Sequence, residues 1–222
     1  MRKLRNTPIL PALAALGALA AASPLASHPH IFIDAGVTLS LDEAGRIEAV
    51  EVTWRYDELY SLILLQDYGL DEDFDTNLTE AEIAATLGFD LNWNGGFEGG
   101  LHLFRGGAPL AIGAPEAVSL TLLPDGRLQT VHRRAVSGDP GGDVPAEARI
   151  YDADFYIAFE ATLPSGVAGG DCAPELVRAD LDAAYAALEA EIASIGGAVA
   201  AEDNFPPVGA LFADSLVFSC GR

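Results

Sequence analysis

The chain has 222 residues and a formal net charge of −21, from 33 acidic and 12 basic residues. So acidic a chain repels nucleic acid and anionic lipid and attracts cations. Its lysine, Lys3, and its methionine, Met1, both precede residue 4, which excludes Schiff-base lysine chemistry, a lysine-bearing phosphate loop and methionine-rich copper sites from the rest of the chain.

Residues 1–27 are typical of a secretory signal peptide. Three basic residues within the first five precede a short apolar run at 8–22, and a small-residue stretch follows it. The run is shorter than the about 20 residues that a membrane helix needs, although an uncleaved N-terminal anchor is the alternative. We expect cleavage after Ser27, which makes 28–222 a single periplasmic domain that begins with His28 and carries a charge of −24.

The first half of this domain predicts a hairpin followed by two helices. Alternating runs at 30–41 and 47–56 predict the β-hairpin. Helical spacing at 57–70 predicts a helix, and a second short helix is predicted at 79–91, where Thr79 and Glu82 form a capping box. The first helix is expected to bury one broad apolar face, made of Leu59, Leu62, Ile63 and Leu65.

The second half predicts strands around one long helix. Runs at 101–112 and 118–136 predict hairpins with Gly-Gly and Asp-Gly turns. Further predicted elements are a strand region at 148–163, the longest helix at 173–195 ended by Gly196 and Gly197, and a closing strand at 211–220. This order predicts an α+β fold, mainly an antiparallel β-sheet or sandwich with an EF-hand-like helical insertion and a C-terminal helix.

A pair of histidines directly follows the predicted cleavage site. If the segment is a strand, His28, His30 and Asp34 share one face, so two imidazoles, a carboxylate and the α-amino group of His28 could hold a divalent transition metal such as nickel, cobalt, zinc or copper. Pro29 has no amide N–H, which excludes the terminal chelate that uses the amides of residues two and three. The alternative is a polar, frayed terminus.

Two further histidines and two cysteines bear on metal binding. His102 and His132 lie in predicted strands and could complete the site, or they could be ordinary surface or hydrogen-bonded histidines. Cys172 and Cys220 predict a disulfide in an oxidising compartment, with two thiolate metal ligands as the alternative.

A second candidate site is the acidic segment 71–82, which matches an EF-hand calcium loop between two predicted helices. The departure is Thr76, where the sharp turn normally uses glycine, and a β-branched residue is costly in the left-handed conformation. The alternative is an acidic connection that binds no ion tightly. The predicted ligands, at loop positions one, three, five, seven, nine and twelve, are Asp71, Asp73, Asp75, Asn77 through its carbonyl, Thr79 and Glu82.

Familiar enzyme motifs are absent from the sequence, including G-x-S-x-G, H-E-x-x-H and a phosphate-binding loop ending in lysine. Asp152 and Asp154 share a predicted strand face and could carry out acid–base chemistry, although solvated acids at a strand edge are the more common arrangement.

Five segments of the chain resemble one bacterial family, the domain-of-unknown-function family one thousand and seven. They are HPHIFID, VTWRYDELYS, GLDEDFDTNLTEAE, YDADFYIAF and LFADSLVFSC. The family has no established activity, and its members are often labelled as substrate-binding proteins of ABC transporters. Their occurrence near nickel and cobalt transporters implies a periplasmic accessory role in metal handling.

Three functions are consistent with these observations. The leading one is a periplasmic accessory protein that binds a divalent transition metal for buffering or delivery to a transporter in the inner membrane, with no nucleic-acid partner and no stable membrane insertion after cleavage. A copper histidine-brace oxidoreductase is the enzymatic alternative. The third is an interaction module stabilised by Ca²⁺.

Overall fold

A computed structural model describes residues 29–93, 97–169, 172–197, 201 and 205–219. The strands in chain order are β1 (Ile31–Leu41), β2 (Ile47–Tyr56), β3 (Leu101–Arg105), β4 (Ala108–Pro109), β5 (Ala111–Leu122), β6 (Leu128–Ser137), β7 (Ala146–Ile150), β8 (Ile157–Glu160), β9 (Gly166–Val167), β10 (Glu175–Val177) and β11 (Ser215–Phe218). The α-helices are α1 (Glu58–Tyr68), α2 (Glu80–Thr86) and α3 (Leu181–Ser194), and short 3-10 helices cover Phe89–Leu91 and Gly209–Leu211.

The first sheet has the strand order β5-β6-β2-β1-β8, and β9 also pairs with β1. The predicted hairpin of β1 and β2 is confirmed, as is the antiparallel pairing of β5 with β6. Strand β1 pairs in parallel with both β8 and β9 along its other edge. Its alternate residues from Ile33 to Leu39 are buried, as the apolar pattern predicts.

The second sheet has the order β10-β11-β7-β3-β4 and is antiparallel throughout. Residues from both sheets share one hydrophobic core, which includes Val37 and Val52 of the first sheet and Leu103, Ala148 and Leu216 of the second. The two sheets therefore pack as a sandwich, and the predicted α+β class with a helix late in the chain is confirmed.

The sequence prediction of α3 was wrong at its start. The helix begins at Leu181 rather than at 173, because Glu175–Val177 pairs with β11 as a strand. Asp180 caps the helix, since its carboxylate accepts a hydrogen bond from the Ala183 N–H. The helix ends just before Gly196 and Gly197, as expected.

Three other predicted strands proved shorter or divided. Segment 148–163 holds parts of two strands, β7 and β8, which belong to different sheets. In segment 101–112 the predicted hairpin is limited to the pairing of β3 with the two residues of β4. The next strand, β5, belongs to the first sheet. The closing strand begins at Ser215 because a 3-10 helix occupies Gly209–Leu211.

The apolar face expected of α1 is largely in solvent. Leu59 is 69% exposed and Leu62 is 61% exposed, whereas Ser61 and Leu64 are buried. The Ser61 hydroxyl accepts a hydrogen bond from the Leu128 N–H, which anchors this side of the helix at the start of β6. None of the helices in the described ranges is long and apolar enough to cross a membrane.

Candidate functional site

The acidic loop between α1 and α2 brings three carboxylates together. One oxygen from each of Asp71, Asp73 and Asp75 lies within 4.8 Å of the other two. Asp71 is buried, while Asp73 and Asp75 are exposed. In the described part of the chain, this is the one place where three or more histidine, cysteine, aspartate or glutamate side chains converge in this way. Carboxylate oxygens in such a cluster are hard ligands, which suit Ca²⁺.

The backbone of this loop is left-handed at position six of the predicted EF-hand loop. Thr76 adopts φ 63°, the left-handed conformation that glycine normally provides at position six. Its N–H donates a hydrogen bond to Asp71 Oδ1 at 3.0 Å, and the Asn77 N–H donates to Asp75 Oδ1 at 2.8 Å. Phe74 also has a positive φ and is 86% exposed.

Glu82, at position twelve, connects the loop to α2. Its Oε1 accepts a hydrogen bond from the Asp71 N–H, and its Oε2 accepts from both the N–H and the hydroxyl of Thr79. The Glu82 N–H in turn donates to the Thr79 hydroxyl oxygen. These reciprocal hydrogen bonds between Thr79 and Glu82 form the predicted capping box. The hydrogen bonds from Thr79, followed by that from Asp71, hold the pKa of Glu82 below its usual value.

The N-terminal histidine pair can be described only in part, because His28 lies outside the described residues. His30 is exposed, its ring centroid lies 4.7 Å from that of Tyr156, and its N–H donates to the Tyr156 carbonyl. Asp34 already has partners for both oxygens: Thr162 donates to Oδ1, and Arg127 pairs with Oδ2 at 3.1 Å. This engagement makes Asp34 a weaker candidate ligand than the sequence implied.

His132 lies in the interior of the sandwich and not beside the N-terminal histidine pair. It is 1% exposed on β6, and its ring packs edge-on to Trp54 and Trp93. Neither ring nitrogen has a hydrogen-bond partner among the described residues. Burial, and secondarily the charge of Arg134, lowers the pKa of His132 to about 4.

His102 lies on β3, in the other sheet from His132. Its ring stacks on Tyr151 with centroids 4.0 Å apart, and it is partly buried. Burial, followed by the charge of Arg149, lowers the pKa of His102. His102 and His132 do not join His30 in any converging ligand group among the described residues.

Sequence reasoning missed a cavity of about 700 Å³, which His102 and Arg134 both line. A buried arginine on β6 was a readable signal, because Arg134 alternates in register with the core residues Leu128 and Val136. Asp152 also lines the cavity, but its carboxylate accepts backbone hydrogen bonds from Tyr156 and Ile157 and so fixes the turn after β7. Asp152 therefore stabilises a turn, a structural role that the suggested acid–base pair with Asp154 did not predict.

The structure describes one of the two cysteines of the predicted disulfide. Cys172 precedes β10, and its carbonyl accepts a hydrogen bond from the Val167 N–H. Cys220 lies outside the described residues, so the Cys172–Cys220 bond stays a prediction.

Comparison with known proteins gives one informative result. No curated protein matches the chain significantly. The family model described as protein of unknown function (DUF1007) matches residues 13–220. Since this match covers most of the 222 residues, the chain belongs to that family.

Proposed function

We propose that the protein is a Ca²⁺-stabilised module whose ion binds in the loop 71–82. The observation that carries the proposal is the convergence of Asp71, Asp73 and Asp75 within 4.8 Å. Three carboxylates at this separation repel one another in a chain of net charge −21, and a divalent cation relieves that repulsion.

The loop conformation supports this proposal independently of its charges. Thr76 already has the positive φ that a calcium loop needs at position six, and Asp71 Oδ1 already accepts its N–H. Glu82 is fixed at the start of α2 by hydrogen bonds from Asp71 and Thr79. A bound ion would replace these hydrogen bonds at Glu82 with coordination by its carboxylate, the usual source of two oxygens at position twelve.

We expect Ca²⁺ to raise the melting temperature of the purified protein. A ligand that binds only the folded state stabilises it by about 2.7 kcal/mol at 100 times the dissociation constant. Glu82→Gln should remove most of the rise, because glutamine keeps the capping box but loses the carboxylate. Glu80→Gln, on the same helix turn but outside the predicted ligand set, is the matched control, and calorimetric titration gives the stoichiometry.

Thr76→Gly should bind Ca²⁺ more tightly, since glycine adopts the left-handed conformation without the steric cost that threonine carries. Mg²⁺ at equal concentration controls for general screening of an acidic protein, because Mg²⁺ demands smaller, octahedral coordination. Equal stabilisation by both ions, unchanged in Glu82→Gln, would contradict the proposal.

We also propose, as a second function, that the exported domain binds a divalent transition metal through His28 and His30 for buffering or delivery to an inner-membrane transporter. The supporting observation is that the His30 side chain is exposed just before β1 while its N–H is bonded to Tyr156. Imidazole nitrogens are good ligands for nickel, cobalt, zinc and copper.

This second proposal predicts one transition-metal ion per exported chain and a mature N-terminus at His28, which N-terminal sequencing can read. The double variant His28→Ala, His30→Ala should lose binding in a competition assay with a coloured chelator. His102→Ala, a histidine on the other sheet, should retain it. Unchanged affinity in the double variant would eliminate the N-terminal site.

A further inference from the structure

Arg134 is a buried cation that forms no ion pair with a carboxylate among the described residues. Burial lowers the pKa of Arg134, and the negative charge of Glu98 only partly opposes this. Arg134 is 6% exposed, and it is absent from the ion pairs of the described residues, although the chain has 33 acidic side chains. Its Nε donates to the Gly113 carbonyl at 2.7 Å and its Nη1 to the Glu98 carbonyl at 2.8 Å. Burying a charge is costly unless it is paired, so this position calls for a compensating anion.

The Arg134 guanidinium is held rigidly and is only partly used. A guanidinium has five N–H donors, and the two carbonyls account for two of them. The ring of Trp93 lies against it, with its centroid 5.1 Å from the guanidinium carbon. The other three donors, including both on Nη2, make no hydrogen bond to the described residues, and the two carbonyls hold the guanidinium in position before any ligand arrives.

The cavity that Arg134 lines is of the right size and character for a small organic molecule. Its volume of about 700 Å³ falls within the range of roughly 300–1,000 Å³ usual for ligand pockets. The ring of His102, stacked on Tyr151 with an interplanar angle of 11°, forms one flat portion of the wall. Apolar side chains supply much of the remainder, including Phe97, Phe104, Leu110 and Ile112.

Acidic groups in the same wall restrict the charge of the ligand. The Asp152 carboxylate is satisfied by backbone N–H groups of its own turn, whereas the Glu98 and Asp154 side chains are exposed. These three negative charges repel an anion in proportion to its charge, so a single carboxylate is opposed less than a phosphate or a dicarboxylate.

We propose that this cavity binds a small monocarboxylate with a planar apolar body, whose carboxylate pairs with Arg134. A carboxylate accepts two parallel hydrogen bonds from a guanidinium, and the described residues leave three Arg134 donors without a partner. The planar body then lies among the aromatic rings of the wall. This site is separate from the acidic loop and does not depend on any metal ion.

The test uses phenylacetate as the probe and its neutral isostere, phenylacetamide, as the comparison. We expect calorimetry to give saturable binding of one phenylacetate per chain, with phenylacetamide at least about tenfold weaker, because a hydrogen bond to a charged group outweighs a neutral one. Both measurements use the unaltered protein, so neither depends on whether a variant folds.

Arg134→Gln should weaken phenylacetate binding by a similar factor. The matched control is Arg133→Gln, because Arg133 is the next residue of β6 but its guanidinium pairs with Glu51, within the first sheet. Leu110→Trp, which fills the cavity without touching the charge of Arg134, should also reduce binding. Absence of saturable phenylacetate binding, equal binding of the amide, or an equal loss in Arg133→Gln would each overturn the proposal.

Discussion

Three polar side chains on the inward face of β6, those of Thr130, His132 and Arg134, differ in their hydrogen bonding. The Thr130 hydroxyl donates to Asp90 Oδ2, which also accepts from the Tyr56 hydroxyl. Arg134 donates to two backbone carbonyls. His132, between them, has no hydrogen-bond partner for either ring nitrogen among the described residues. A neutral imidazole tolerates such a setting far better than a charged one, which makes this residue sensitive to pH.

We expect His132 to lower stability in mild acid. Its pKa is about 4 in the folded protein and about 6.5 in an unfolded chain. Between these values the unfolded state binds a proton that the folded state does not, so the free energy of unfolding falls as the pH drops from about 6.5 to 4, by up to about 3 kcal/mol. Urea unfolding at several pH values measures this slope.

The comparison of variants isolates the contribution of His132 from that of the many carboxylates. His132→Leu should flatten the pH dependence in this window, because leucine has no group that gains a proton there. If His132→Leu has the same slope as the parent protein, the imidazole is not the group responsible.

At the scale of elements, sequence patterns located most helices and strands but not always their buried sides. The convergence of Asp71, Asp73 and Asp75 could be predicted because the spacing of these carboxylates is local. The orientation of α1 could not, since apolar residues surround most of the helix and a contact from Ser61 to Leu128, 67 positions away, decides which side is buried. The cavity beside Arg134 was equally hidden, because it forms only when β3 and β6 from different sheets come together.

The orientation of α1 can be measured with two substitutions of one residue type. Leu64 is 6% exposed and Leu62 is 61% exposed. Leu64→Ala should lower the free energy of unfolding by about 2–4 kcal/mol through lost burial and a residual cavity. Leu62→Ala, its matched control, should change it by less than about 0.5 kcal/mol. Chemical denaturation supplies both values, and the reverse order would place the predicted apolar face in the core after all.

Considered as a whole, the molecule is assembled around a first strand that pairs with the next strand, β2, on one edge and with the much later β8 and β9 on the other. Ile31 pairs with Ile157 on one edge of β1, and Val37 pairs with Val52 on the other. Between β8 and β9 the chain crosses so near to β1 that a Cβ atom at Gly36 would lie 2.7 Å from the Pro164 carbonyl oxygen. Only glycine fits this crossing, which keeps the parallel partners of β1 in place.

We expect a Cys172–Cys220 disulfide to fasten the C-terminal end to the start of β10. By the loop-entropy estimate, closing a loop of this length stabilises the fold by roughly 4 kcal/mol at most. Mass measurement of the alkylated protein, with and without prior reduction, counts the free thiols. Two free thiols in protein produced in an oxidising compartment would rule the bond out, and Cys172→Ser should otherwise lower the melting temperature to the level of the reduced protein.

The double pairing of β1 has a consequence for a chain that is still being synthesised. Until Ile157 has left the ribosome, β1 can pair with β2, but its other edge has no strand to meet. An open edge of this kind is a template for pairing with other chains. We therefore expect the nascent protein to need chaperone protection or rapid completion, and a premature stop codon before Ile157 to produce aggregates rather than a smaller folded domain.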